Sequence, residues 1–440
     1  MPDLLQRAVP RYTSYPTAPN FSSGVNAAVY RSWLAELPEK STLSIYLHVP
    51  YCRDLCLYCG CNTKATHKLK PIETYAKLIA DEIRLVADHS GRRKVTHLHW
   101  GGGTPSIFGI DLLKVVADEL EHHFDLSTVR EHAIELDPRY LTRAMARTLK
   151  DIGVNRASFG VQDFSPDVQQ AVGRIQLFDL VKDAVVMLRE AGIDKINLDL
   201  MYGLPRQTIS GVEQTAVLAH ELEPQRIAVF GYAHVPWMRS QQRLIDEAEL
   251  PSPRERIAQA AAARATFTQL GYEPIGLDHY ARPDDEMAVA AKSGRLHRNF
   301  QGYTIDDADA LIGLGASSIS RLPGGFAQNA SSIGGYSRAI GAGKLATLKG
   351  IAVSADDQVR GKIIERLMCD MAVDLAKMTQ DSADFSNALA LLEPLKNSGS
   401  VRINGQRIEI TEQGRPFARI VASAFDSYLT RSGAKHSLAV

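Results

Sequence analysis

Short apolar runs and longer amphipathic runs alternate along most of this chain. Runs rich in strand-forming residues recur at 43–48 (LSIYLH), 95–99 (VTHLH), 132–136 (HAIEL), 156–161 (RASFGV), 195–200 (KINLDL) and 226–231 (RIAVFG). Between them, apolar residues return at spacings of three and four. In 72–89 they are Tyr75, Leu78, Ile79, Ile83 and Val86, one stripe of an amphipathic helix. Segments 111–124, 139–151, 178–191 and 211–222 carry the same period. Strand–helix alternation predicts βαβ units around a parallel sheet. Six units rather than eight predict a partial, open barrel with room for a large substrate.

Polar residues gather where those strands end. The first runs into a cysteine loop and the second into Gly101-Gly102-Gly103-Thr104. The third ends on Glu135, Gln162 follows the fourth, Asp199 closes the fifth, and Ala233-His234 follow the sixth. The carboxyl ends of barrel strands are where active sites form. Beyond the six units, 254–345 is mixed, with a helix at 254–269 and a polar run, HRNFQGYT, at 297–304. Residues 351–440 read as a small, mostly helical, winged-helix-like domain. Its helices fall at 358–373, 386–397 and 413–429, with a hairpin turning at Asn404-Gly405. Residues 1–40 form an N-terminal segment whose RYTSYPTAP stretch is extended, because residues before proline avoid helix. The barrel and its extension occupy 41–350.

The cysteines carry the chemistry. Four of the five lie within ten residues, Cys52, Cys56, Cys59 and Cys61. Such clustering argues for a metal site in a reducing cytoplasm rather than a disulfide framework. Cys52, Cys56 and Cys59 stand at C-x3-C-x2-C spacing, suited to an iron–sulfur cluster with one iron left open. Zinc held by all four thiols is the competing reading, but a single residue between Cys59 and Cys61 strains tetrahedral ligation. The glycine triplet is no P-loop, since the required Lys and Ser/Thr are missing. Its bare backbone allows close approach of a ligand. Glu135 and Asp199 could cap helices, or hydrogen-bond ribose hydroxyls and an ammonium group. Arg11, Arg282 and Arg298 are candidates for anionic groups, because guanidinium forks match carboxylates. Net charge is zero, which disfavours nucleic acid. No apolar run approaches the length of a membrane span.

Taken together these residues resemble the radical S-adenosylmethionine (SAM) enzymes, and among them the oxygen-independent coproporphyrinogen III oxidases of haem biosynthesis. The resemblance covers most of the chain. It rests on RYTSYPTA, YLHVPYCRDLCLYCGCN, HWGGGTP, ELDPR, GVQDF, NLDLMYGLP, FGYAHVP, DHYARPDDE and HRNFQGYT. It implies that Cys52, Cys56 and Cys59 hold a [4Fe–4S] cluster whose fourth iron binds SAM. Tyr46, Tyr58, Gly102, Glu135, Ala233 and Ile319 match positions around that SAM. Gly103, Thr104, Gln162, Arg174 and Asp199 match contacts to a second SAM. Tyr58 stands where Phe is common in the family, a change that preserves stacking. The implied reaction converts two propionates of coproporphyrinogen III to vinyl groups with loss of CO2, giving protoporphyrinogen IX. A monomer is implied, reduced by a protein such as flavodoxin or ferredoxin. The competing family reading is a haem-trafficking relative, which would lack the CGCN, RYTSYPTA and HRNFQGYT runs. No residue is assigned a proton-transfer role.

Overall fold

A computed structural model describes residues 7–378 and 385–429. The ends of the N-terminal segment and of the last domain, 1–6 and 430–440, lie outside the described residues.

All six predicted strands form: β1 (Thr42–Val49), β2 (Lys94–Gly102), β3 (Glu131–Leu136), β4 (Arg156–Gln162), β5 (Lys195–Tyr202) and β6 (Arg226–Gly231). Each pairs in parallel with the next. The helices are α1 (Leu69–Ser90), α2 (Gly109–His123), α3 (Arg143–Asp151), α4 (Phe178–Glu190), α5 (Ile209–Glu221) and α6 (Pro253–Gln269). Helix α3 starts four residues later than its period suggests, because Pro138 sets a short 3-10 turn and Thr142 then caps the helix.

The strands alternate as a barrel wall should. Leu43, Ile45 and Leu47 of β1 are fully buried in the main core with Ile79, Ile83 and Val86 of α1. Burial of each such side chain stabilises the fold by about 1.5–3 kcal/mol. The intervening residues are polar: Ser44, His97, His99, Glu135, Ser158, Asn197 and Asp199 line an internal cavity of about 180 Å³. Lower in the barrel, Glu131 pairs with Arg156 (2.8 Å) and Arg226 (3.0 Å), and Asp285 with Arg226 (2.7 Å). These buried ions tie β3, β4 and β6 together.

The sheet is larger than the six expected strands. Among the described residues it has twelve, and its two ends do not pair with each other. Ala310–Leu314 adds in parallel to β1, followed by antiparallel Ile319–Leu322, Gly325–Asn329 and Thr347–Ala352. At the other edge, His279–Ala281 runs antiparallel to β6, and Glu273–Ile275 follows. These strands are three to six residues long, too short for periodicity to separate from loop. The HRNFQGYT run is a hairpin, His297–Asn299 against Gly302–Thr304.

In the C-terminal part, helices Ala355–Asp370 and Ser386–Asn397 precede the expected hairpin, Val401–Asn404 with Arg407–Ile410. Gly405 takes the left-handed conformation its turn requires (φ 60°). Ala372–Asp374 adds a third strand. The last predicted helix shortens to Ala418–Ser423, because Gly414 and Pro416 hold the preceding residues in turns. Val9, Tyr12 and Tyr15 of the N-terminal segment pack into this part's core with Leu367 and Phe425. No described helix is long and apolar enough to cross a membrane.

Candidate active site

One cavity of about 1300 Å³ opens at the carboxyl ends of the strands. Cys52, Cys56, Cys59 and Cys61 line it, together with Tyr58, Gly102, Gly103, Thr104, Glu135, Gln162, Arg174, Asp199 and Ala233. Residues from six strand ends, far apart in sequence, therefore meet in one cavity. Tyr46 and Ile319 do not line the cavity. Tyr46 packs beside it, its ring on His99 (5.8 Å between centroids). Ile319 sits behind Gly313, the register partner of Tyr46.

The cysteine loop is stitched down through its backbone. Leu57 N–H donates to Val172 O (3.0 Å). Gln241 and Gln242 donate to the carbonyls of Cys59 (2.7 Å) and Tyr58 (2.8 Å), and Arg239 to that of Gly60 (2.9 Å). The loop is thus anchored by its backbone rather than by a disulfide. Thr104 Oγ1 donates to Cys52 Sγ (3.6 Å), and Arg174 Nη1 to Cys56 Sγ (3.4 Å). A hydrogen bond from Cys61 draws the Cys59 thiol down to about 7. Among the described residues, no three His, Cys, Asp or Glu side chains are grouped to hold a single metal ion. A zinc ion with ~2.3 Å bonds needs thiols within about 4 Å of each other. A cube that takes each thiolate on a different iron does not. Three thiols on one loop, with a guanidinium and a hydroxyl donating to sulfur, fit the cube.

The glycine segment owes its composition to contacts. A Cβ on Gly103 would lie 2.4 Å from Tyr51 O, and one on Gly102 2.5 Å from the His48 ring. Gly102 also has φ 106°. His48 Nε2 faces Asn62 O (2.9 Å) and so donates to it, leaving Nδ1 to accept from the Tyr46 hydroxyl (3.0 Å). Glu135 accepts from Gly102 N–H (3.0 Å) and pairs with His99 Nε2 (3.1 Å). Burial pushes this carboxyl up, but His99 outweighs it and holds the group below the usual range. Asp199 has no ion-pair partner at bonding distance among the described residues, only the more distant His279. Burial pushes the Asp199 carboxyl up to about 6, against hydrogen bonds from Ser158 (2.8 Å) and Asn197 (2.9 Å). Gln162 sits at φ 70°, unusual for a residue other than glycine, where the pairing of β4 with β5 shifts register in a bulge.

Arg174 is the hub of the second group of predicted residues. It donates to Gln176 Oε1 (3.1 Å), Asp137 Oδ2 (3.2 Å) and Gly160 O (2.6 Å) besides the thiol. Asp137, inside the ELDPR motif, was not singled out from sequence, nor was the fully buried Gln242. Of the three candidate anion-binding arginines, Arg11 and Arg298 line the cavity. Arg282 does not. Its side chain donates to Pro224 O (3.3 Å), because the short antiparallel strand before it runs away from the site.

A parallel strand–helix sheet with three thiols after its first strand defines a radical SAM enzyme, and the radical SAM superfamily model matches residues 46–219. Enzymes of this class hold a [4Fe–4S] cluster and SAM. A second model, described as the HemN C-terminal domain, matches 353–417. The chain is 45% identical to the oxygen-independent coproporphyrinogen III oxidase of Bradyrhizobium diazoefficiens, over 99% of this chain and 98% of that one. It is 41% identical to the enzyme of the same name from Paracoccus denitrificans, with the same coverage. The solved structure of the Escherichia coli coproporphyrinogen III oxidase, described as a radical SAM enzyme, aligns with a TM-score of 0.90 at 36% identity. That alignment covers 96% of this chain and 100% of that one. The chain belongs to the oxygen-independent coproporphyrinogen III oxidase family.

Proposed function

We propose that this protein oxidatively decarboxylates two propionates of coproporphyrinogen III to vinyl groups, giving protoporphyrinogen IX. The observation that carries this reading is a single cavity joining the cysteine loop to a wall of arginines. Cys52, Cys56 and Cys59 would hold the cluster. When bound, cluster and SAM supply one-electron chemistry that takes a hydrogen atom from the β-carbon of a propionate. CO2 then leaves and one electron passes to an acceptor.

The chain's own share is placement. Glu135, held ionised by His99, is suited to an ammonium group or a ribose hydroxyl. The Gly102–Gly103 backbone lets the ligand approach closely, and Tyr58 and Ala233 bound it. Tyr46 and Ile319 would act from behind this layer. We assign Gly103, Thr104, Gln162, Arg174 and Asp199 to a second SAM. Its support is position: all five line the same cavity as the cysteine loop. We keep 41–350 as the catalytic barrel, with 1–40 and 351–440 flanking it. We place the enzyme in the cytoplasm as a monomer, fed electrons by a flavodoxin- or ferredoxin-like protein.

Anaerobic incubation of reconstituted protein with SAM, reductant and coproporphyrinogen III should release CO2 and a divinyl product. Haem binding without turnover would move the reading to a trafficking role. Cys56→Ala should abolish the visible absorption of the cluster; its retention would remove the ligand assignment.

A further inference from the structure

Beyond the sixth parallel strand, the cavity wall is built from arginines drawn from four separate parts of the chain. Arg11 comes from the N-terminal segment, Arg256 and Arg264 from α6, Arg298 from the 297–304 hairpin, and Arg415 and Arg419 from the C-terminal part. Several are anchored at one edge with N–H groups to spare. Arg11 Nη2 donates to Gly231 O (3.1 Å) and Arg256 Nη2 to Tyr232 O (2.7 Å). Among the described residues, Arg256 Nε, Arg298 Nε and Nη1, and Arg415 Nε have no hydrogen-bond partner but are closed off from the cavity as well, with Arg298 lying over the Tyr303 ring (4.5 Å to its centroid), so the wall offers the cavity the remaining edges of these side chains. The carboxylates in this wall are Asp278, which His279 already holds at 2.8 Å, and Glu412, shared by Arg264 and Arg415.

Between its arginines, α6 shows the cavity small residues: Ala260, Ala261 and Ala265. They leave a flat apolar floor. Eight residues separate Arg256 from Arg264, about 12 Å along the helix. That spacing can address carboxylates on opposite edges of one macrocycle.

We infer that this wall reads the number of carboxylates on the porphyrin ring, with Arg256, Arg298 and Arg415 donating to the propionates that are not reacting. The inference rests on the proposed decarboxylation and adds a consequence. Each turnover removes one carboxylate, so the ring loses a partner at each step and the two-carboxylate product leaves. The electrostatics agree. Burial, with some repulsion between neighbouring guanidiniums, pulls Arg11, Arg256 and Arg264 down and Arg419 to about 10, whereas Tyr303 and Asp278 hold Arg298 up against its burial. A polyanion relieves that repulsion.

The test is porphyrin binding to the reconstituted holoenzyme with SAM, followed by fluorescence. The probes are coproporphyrin III, with four carboxylates, and mesoporphyrin IX, with two. Arg256→Gln and Arg298→Gln should each weaken coproporphyrin about tenfold, or ~1.4 kcal/mol, and mesoporphyrin less than about threefold. The Arg→Lys variants should recover most of the loss, and Arg282→Gln, outside the cavity, should match wild type. Cluster absorption reports folding. In wild type alone, added salt should weaken coproporphyrin more than mesoporphyrin. Equal losses for both porphyrins, or equal salt dependence, would overturn the inference. If wild type still releases CO2 from coproporphyrinogen III, only the arginine reading falls. If it neither turns over nor binds either porphyrin, both fall.

Discussion

Arg174→Met isolates the contact between the cluster loop and the barrel. The side chain is 8% exposed and makes four hydrogen bonds, to Asp137, Gln176, Gly160 and Cys56. Methionine keeps much of the volume and removes every donor. Breaking a buried ion pair from one side costs about 3–5 kcal/mol. Asp137 keeps a second partner, Arg139 at 2.7 Å, so the lower end applies, about 3 kcal/mol. With an unfolding entropy of ~2.1 cal/mol/K per residue, a cooperative unit of this chain's size loses about 3 °C in Tm. The functional loss should be larger, because Cys56 loses the cation that donates to its sulfur. We expect reduced iron content after reconstitution, with Arg174→Lys intermediate, since an ammonium cannot span all four acceptors. Scanning calorimetry on wild type, Arg174→Met, Asp137→Asn and the double variant closes the cycle. The coupling should be about 1–3 kcal/mol. A Tm within about 1 °C of wild type, or strict additivity, would refute the reasoning.

Three further outcomes follow from the same geometry. Glu82 is buried without a cation, accepting from Gly315 N–H, Asn329 and Tyr336, and burial raises it to about 7. A raised folded value means its contribution is whole below about pH 4.5 and lost as pH rises to about 7. The stability of wild type relative to Glu82→Gln should therefore fall by ~3 kcal/mol across that window; a flat difference between their melting curves sinks the idea. Gly103→Ala sets a methyl against the Tyr51 carbonyl, which cannot swing away. It should cost ~1–3 kcal/mol and lower cluster loading, read as iron per chain. Asp199, at about 6, should make SAM binding weaken as pH falls below 6 in wild type but not in Asp199→Asn. Equal pH profiles by equilibrium dialysis would count against its assignment.

The repeating core was legible because it obeys two periods at once. β1 alternates Leu43, Ile45 and Leu47 with polar residues, while α1 repeats its apolar stripe every three to four. Those patterns reflect local geometry, so they survive without tertiary information. The edge strands carry no such redundancy. Ile319–Leu322 and Gly325–Asn329 are strands because neighbours supply hydrogen bonds, and nothing within four or five residues announces that. Arg282 failed as a candidate for a related reason. Its motif is specific, but motif membership does not say which way a short antiparallel strand carries its last residue.

The two halves of the site differ in the same way. The cysteines, the glycine triplet and the strand-end carboxylates announce themselves because each residue type is costly to place anywhere else: thiols in a cluster, glycines against a carbonyl, acids among buried strands. An arginine costs little on a surface, so Arg256, Arg264, Arg415 and Arg419 look ordinary in sequence. They become chemistry only when α6 and the C-terminal part fold against the open edge of the sheet and take them out of water. Guanidiniums taken out of water favour an anion beside them. The half of the cavity that periodicity could not reveal is therefore the half we propose meets the propionates.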